Sequence, residues 1–350
     1  LLFQEGRSLL AEALDPDARG REPSLVLLER ADSLLGEAAA RDPEWAAPRV
    51  ERGWAAYERS RILSPVTGFV RPADSTRLLA LADEAVRRSG GAASALELRG
   101  VVRFELAEAV GAAEGLRAGA EADFQAALRE DPRRAVPLAY LASTRRLAGE
   151  FGEARAFARR ALEADAWLER APELLYLLYS VNLELKAWDA ADRWCREGRS
   201  RFPTALRFLF CRLQYEALRP RAADPAVAWA LRDTLRSEST REEWELQNRT
   251  WSGYQVATVL ARNELPDSAE RVLAASRPGP ADRPWFAYDE AHVRLLLGDR
   301  AGALELLESY LEVAPDRRSY LPSDWLFEEL WADPRFQELV DTAGESSNPS

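Results

Sequence analysis

Small residues recur along this chain at one fixed period. Ala120 and Ala154 stand 34 residues apart, as do Ala127 and Ala161, and Ala269 and Ala303. A period of that size is the mark of an array of supersecondary units, each unable to bury its apolar face alone. The text around these alanines recurs as well. Glu121-Ala122-Asp123-Phe124 runs to Asp131-Pro132, Glu153-Ala154-Arg155 runs to Glu163-Ala164-Asp165, and Ala301-Gly302-Ala303-Leu304 runs to Ala314-Pro315. Asp-Pro or a lone Pro closes several units, at Asp42-Pro43, Asp131-Pro132, Phe202-Pro203 and Ala314-Pro315. Proline ends a helix because it lacks an N–H and disfavours helical geometry in the residue before it.

Each unit reads as two amphipathic helices. Leu138, Leu141 and Leu147 fall at helical spacing, Gly149 breaks the run, and Phe151 to Leu162 form the second helix. The arrangement repeats as Leu175 to Leu185 with Trp188 to Gly198, as Val256 to Leu260 with Leu265 to Leu273, and as Phe286 to Leu297 with Ala301 to Leu311. Small residues fall where paired helices must come close: Gly53, Gly100, Ala142, Ala154, Ala161, Ala291 and Ala303. Gly149 and Gly298 supply turns, where a positive φ costs glycine little.

A 34-residue helix–turn–helix with small residues at these offsets and a closing Pro resembles the tetratricopeptide repeat. The match is good over 137–168 and 285–315, fair over 25–58, 92–132 and 172–203, and degenerate over 204–238 and 244–277. The resemblance implies an all-α, right-handed solenoid of about seven antiparallel helix pairs, with a partial pair at the N-terminus. Such an array is expected to occupy residues 1–342 as one domain. The C-terminal third, with Leu297-Gly298-Asp299-Arg300 and the ending Asp333-Pro334-Arg335-Phe336, resembles repeat regions of high-GC bacterial chains that stand alone or follow a serine/threonine kinase domain. These residues carry no Gly-rich loop, HRD or DFG, so any kinase lies outside them.

The composition excludes several functions. With 47 basic and 58 acidic residues the formal net charge is −11, against a nucleic-acid binder, which needs a basic surface to displace counterions. One histidine and two cysteines cannot make a zinc cluster, and Ser–His or Cys–His catalysis would have to run through His292. No metal, cofactor or catalytic residue is therefore expected, and an enzyme using a carboxylate pair is the weakest reading. No run of about 18 apolar residues exists for a membrane span. There is also no initiator Met and no signal-peptide pattern. The chain is read as a processed or excised portion of something longer, with its compartment and oligomeric state open.

Function in a solenoid lies on the face lined by the first helices of successive pairs. Family geometry implies that Trp54, Tyr57, Phe104, Arg146, Tyr176, Phe210, Trp251, Tyr254, Trp285, Tyr288 and His292 point into that groove. Aromatic rings offer large contact area at low entropy cost, so the expected ligand is a peptide or partner protein. Arg146, Arg207 and Arg262 are candidate clamps for a carboxylate or phosphate. The alternative for the aromatics is a place in the core, and for His292 a pH-sensing contact or a partly buried, hydrogen-bonded helix residue. The functional expectation is a non-catalytic interaction scaffold. The alternative is a regulatory or sensory region of a larger bacterial signalling protein, such as a receptor-type kinase.

Three further features carry expectations. Residues 60–74 form an insertion in which Phe69 and Val70 either cover the groove or dock on their own helix pair. Ser323-Asp324 is expected to cap a helix bearing Trp325, Phe327, Leu330 and Trp331, with Asp333-Pro334 starting a second, so that 323–342 caps the last repeat. Residues 343–350 lack apolar content and are expected to be disordered. Cys195 and Cys211 flank Phe202-Pro203 at similar distances, which permits a disulfide; the favoured reading is two reduced core thiols.

Overall fold

The structure, a computed structural model, describes residues 1–14, 21–64, 70–110 and 114–341. Helices account for all the regular structure among the described residues. The first eight are α1 (Leu2–Ala13), α2 (Arg21–Arg41), α3 (Ala47–Leu63), α4 (Ser75–Ser89), α5 (Ala93–Val110), α6 (Glu114–Glu130), α7 (Ala135–Leu147) and α8 (Phe151–Ala164). They are followed by α9 (Ala171–Glu184), α10 (Trp188–Arg201), α11 (Arg207–Leu218), α12 (Pro225–Glu238), the single turn α13 (Arg241–Glu243), α14 (Arg249–Arg262), α15 (Pro266–Ser276), α16 (Arg283–Leu296) and α17 (Arg300–Val313). Three short 3-10 segments then lead to α18 (Pro334–Val340). By contact the chain divides into two compact units, Leu1–Leu147 with Ala156–Leu168, and Ala148–Arg155 with Glu169–Ser350.

The recurring small residues sit where helices press together. Ala120, Ala127, Ala154, Ala161, Ala269, Ala291 and Ala303 are all buried. At Gly53 a Cβ would stand 2.3 Å from a Leu98 methyl, and at Gly100 one would stand 2.5 Å from the Phe124 ring. Such closeness lets neighbouring helices interlock their large side chains over the small ones. Unit 1 builds a core on Leu78, Leu98, Leu106, Phe124 and Tyr140.

Turn chemistry closes the repeats. Asp42, Asp131 and Asp165 each accept an N–H from two residues on, the side chain imitating a turn as the chain leaves a second helix. Between first and second helices one residue takes a left-handed conformation. Gly149 (φ 76°) and Gly298 (φ 83°) do so as the sequence predicts, and Lys186 (φ 53°) and Glu264 (φ 59°) do the same without being glycine.

Several expectations change. Cys195 and Cys211 are joined as a disulfide linking α10 to α11, with Cα atoms 5.9 Å apart, where two free thiols were favoured. The antiparallel register across Phe202-Pro203 brings the two positions level. Val70 docks in the core of unit 1 beside Leu78, which settles its half of the insertion; Phe69 lies outside the described residues. Arg71 and Asp74 pair with each other, and both hydrogen-bond to Ser60 at the end of α3. Arg134 pairs with Glu97 at 2.7 Å, and Arg145 pairs with Glu121. Residues 342–350, including the expected disordered tail, lie outside the described residues.

Candidate functional site

Unit 2 carries most of the expected groove residues, on α9, α11, α14 and α16. Tyr176, Phe210, Trp251 and Trp285 occur one per helix, each in the N-terminal half, and successive helices of this set pack side by side. Spacing by 34 residues relates Tyr176 to Phe210 and Trp251 to Trp285. The Phe210 and Trp251 rings meet edge to face with centroids 4.9 Å apart. Tyr176, Phe210 and Trp251 are half-buried, and Trp285 is 60% exposed. Phe210 and Trp251 thus meet on adjacent helices, and Tyr176 and Trp285 stand 34 residues from them on the helices to either side.

One helical turn further along, the same helices bury their aromatics. Tyr254 has no exposed surface, and its hydroxyl donates to the buried Glu290 at 3.1 Å. Arg277 completes that carboxylate at 3.0 Å. Burial, and then Glu290, pushes the Tyr254 phenol up. Gln255 donates to Asp289 at 3.3 Å, and burial raises the Asp289 carboxyl to about 7.

Tyr288 and His292 are covered by the chain itself. Phe327 packs edge-on against both rings, with centroids 5.3 Å and 6.4 Å away. The Tyr288 hydroxyl donates to Asp324 at 2.5 Å. Asp324 also accepts the Leu326 N–H, the cap expected from sequence, but the segment it caps, Trp325–Leu330, is 3-10 and not an α-helix. Burial raises the Asp324 carboxyl to about 7, and burial with the nearby Arg262 charge lowers His292 to about 4. His292 is therefore a neutral ring at ordinary pH.

The C-terminal segment does more than cap α17. Leu330 and Phe336 close the apolar end of the last pair with Leu304, Leu307 and Leu311. Tyr320 meanwhile reaches back to α9, donating to Glu184 at 2.7 Å, and its ring meets Phe151. Trp325 packs on Trp188 and lies under Lys186, 5.3 Å from the ring centroid. The sequence reading missed this return. The signal was present in Tyr320, Trp325, Phe327 and Trp331, more rings than the end of one helix pair needs.

In unit 1, Tyr57 (4% exposed) and Phe104 (7%) are core residues, packed with Tyr140, while Trp54 is half-buried against them. Arg146 is half-buried near the end of α7. The other two candidate clamps are engaged internally. Arg207 pairs with Glu173 at 2.9 Å. Arg262 donates to the carbonyls of Ala217, Arg219 and Pro220, closing the C-terminal end of α11.

No protein-family model matches the sequence, and no curated protein matches it. Solved structures do match. A chain of the APC/C hetero-tetramer Cut9-Hcn1 aligns with a TM-score of 0.51 at 12% identity, over 96% of this chain and 59% of that one. Yeast Tom70 aligns at 12% identity over 97% of this chain and 66% of its own, with a TM-score of 0.45. A tetratricopeptide repeat protein from Parabacteroides merdae aligns at 14% identity over 84% and 98%, with a TM-score of 0.45. The chain thus spans less than two thirds of the first and second of these. The fold is an all-α array of the tetratricopeptide-repeat kind. Among the described residues no helix is long and apolar enough to cross a membrane.

Proposed function

We propose that the chain is a non-catalytic protein-interaction scaffold that takes an extended peptide or a partner's helix along Tyr176, Phe210, Trp251 and Trp285. The accessible aromatic row, one ring on each first helix of unit 2, carries this reading. Rings at fixed intervals on rigid helices offer apolar contact already ordered before binding, which lowers the entropy cost of association. The buried row beneath them holds the helices in place; it is not the contact surface. The Cut9-Hcn1 chain, which shares the fold, belongs to a hetero-tetramer, in keeping with a role in assembly.

The test is capture from a displayed peptide library by the parent chain and by a Trp251→Ala, Trp285→Ala variant. The expected result is selective capture that the variant loses while its helical circular dichroism is retained. Equal capture by both proteins would remove the row from the binding site.

A further inference from the structure

A second site lies among α12, α14 and α15, and none of its lining residues belongs to the aromatic row. A cavity of about 300 Å³ is lined by Trp229 and Arg232 from α12, Leu260 from α14, and Ser268, Arg271 and Ser276 from α15. Gly253 lets α14 approach closely there. A Cβ on it would stand 1.9 Å from the Ser276 hydroxyl and 3.8 Å from a terminal nitrogen of Arg232.

Many half-buried arginines of this protein meet carboxylates, as Arg99 does Asp123, Arg134 does Glu97 and Arg277 does Glu290, and Arg262 meets three backbone carbonyls instead. Among the described residues Arg232, Arg236 and Arg271 have no carboxylate within ion-pair distance. Arg232 is held between two indoles, 5.3 Å from the Trp229 centroid and 5.5 Å from that of Trp244. A π-helical turn, Trp244–Asn248, leads into α14 and sets Trp244 there. Burial lowers the Arg232 pKa, Asp233 opposes the shift, and Arg236 and Arg249 add to it. Two polar atoms at the cavity, the Arg232 Nε and the Ser276 hydroxyl, are buried without a hydrogen-bond partner. Ser276 is fully buried. A buried donor left unmade costs about 1–3 kcal/mol, more when charged, so a cation and a hydroxyl orphaned together at one cavity point to an absent acceptor.

We infer that this cavity binds a carboxylate carried on a small apolar body, with Arg232 and Ser276 donating to its oxygens. Arg271, which already donates to Ser268, is exposed at the mouth and steers the anion in. Leu260, Val272 and the Trp229 ring receive the apolar part. One desolvated guanidinium balances one negative charge. A phosphate dianion would bring a second charge into a chain of net charge −11 with no second buried cation to meet it.

The test is calorimetric titration of the whole chain with benzoate, beside benzyl alcohol and phenyl phosphate. Benzoate should bind and raise the melting temperature, benzyl alcohol should do neither, and phenyl phosphate should bind more weakly. Arg232→Gln should weaken benzoate about tenfold or more, the loss of a charged hydrogen bond, without lowering the melting temperature of the free protein. If Arg232→Gln does melt lower, Ser276→Ala decides: weaker benzoate binding supports the site, unchanged binding overturns it. Absence of benzoate binding, undiminished binding by Arg232→Gln, or a preference for the alcohol or the phosphate would also overturn it.

Discussion

Phe327 packs against the half-buried His292 ring, and burial with the nearby Arg262 charge keeps its imidazole neutral down to about pH 4. In the unfolded chain the same ring protonates near its ordinary value of about 6.5. Between these values the unfolded state binds the extra proton, so this residue's contribution to stability is present above pH 6.5 and is lost as pH falls toward 4. Asp289 and Asp324 run the other way. Their folded values near 7 make the folded state the proton binder, so their contribution is present at low pH and lost as pH rises from about 4 to about 7. A His292→Phe variant isolates the first effect. Urea unfolding at a series of pH values should show the variant gaining on the parent as pH falls from 6.5 to 4, with a constant difference above 7. A flat difference across the range would mean that the ring is solvated. At this scale residue types are legible and their environments are not. Tyr254 and Trp251 stand three positions apart on one helix, and only packing tells the buried ring from the accessible one.

Helices and turns were the most legible elements. Alanines at a 34-residue period, closing prolines and Gly149 or Gly298 at turns each have a single physical reading, and the structure places them accordingly. Where a pair departs from the pattern the backbone keeps the geometry regardless. Glu264 occupies the turn position that Gly298 fills one repeat later, at φ 59°. A left-handed residue with a side chain costs about 1–2 kcal/mol, and glycine's greater freedom when unfolded returns part of that, so Glu264→Gly should stabilise by about 0.5–1 kcal/mol. Chemical denaturation measures this directly. A loss of stability would show that the Glu264 side chain contributes more than its backbone strain costs. The 3-10 form of Trp325–Leu330 was not legible, because its Asp324 cap is equally suited to an α-helix. Its conformation follows from contacts with Tyr288 and Trp188, remote in sequence.

For the molecule as a whole, periodicity specified the kind of fold and composition left interaction as the expected role. The periodic signal does not reveal which part of the inner face remains open. The return of Tyr320 to Glu184 crosses 136 residues of sequence, and no local pattern announces such a pairing. The covering of Tyr288 and His292 follows from that return, as does the restriction of the proposed contact surface to the row ending at Trp285. The disulfide belongs to the same class, since level placement of Cys195 and Cys211 depends on how α10 and α11 pack.

Hydroxyl-radical footprinting of the chain, free and bound to a captured peptide, tests the central claim most directly. The account predicts that Trp285 and Trp251 oxidise readily in the free protein and are protected in the complex, while Tyr254 stays unreactive in both. Full oxidation of Trp285 and Trp251 with peptide bound would contradict it.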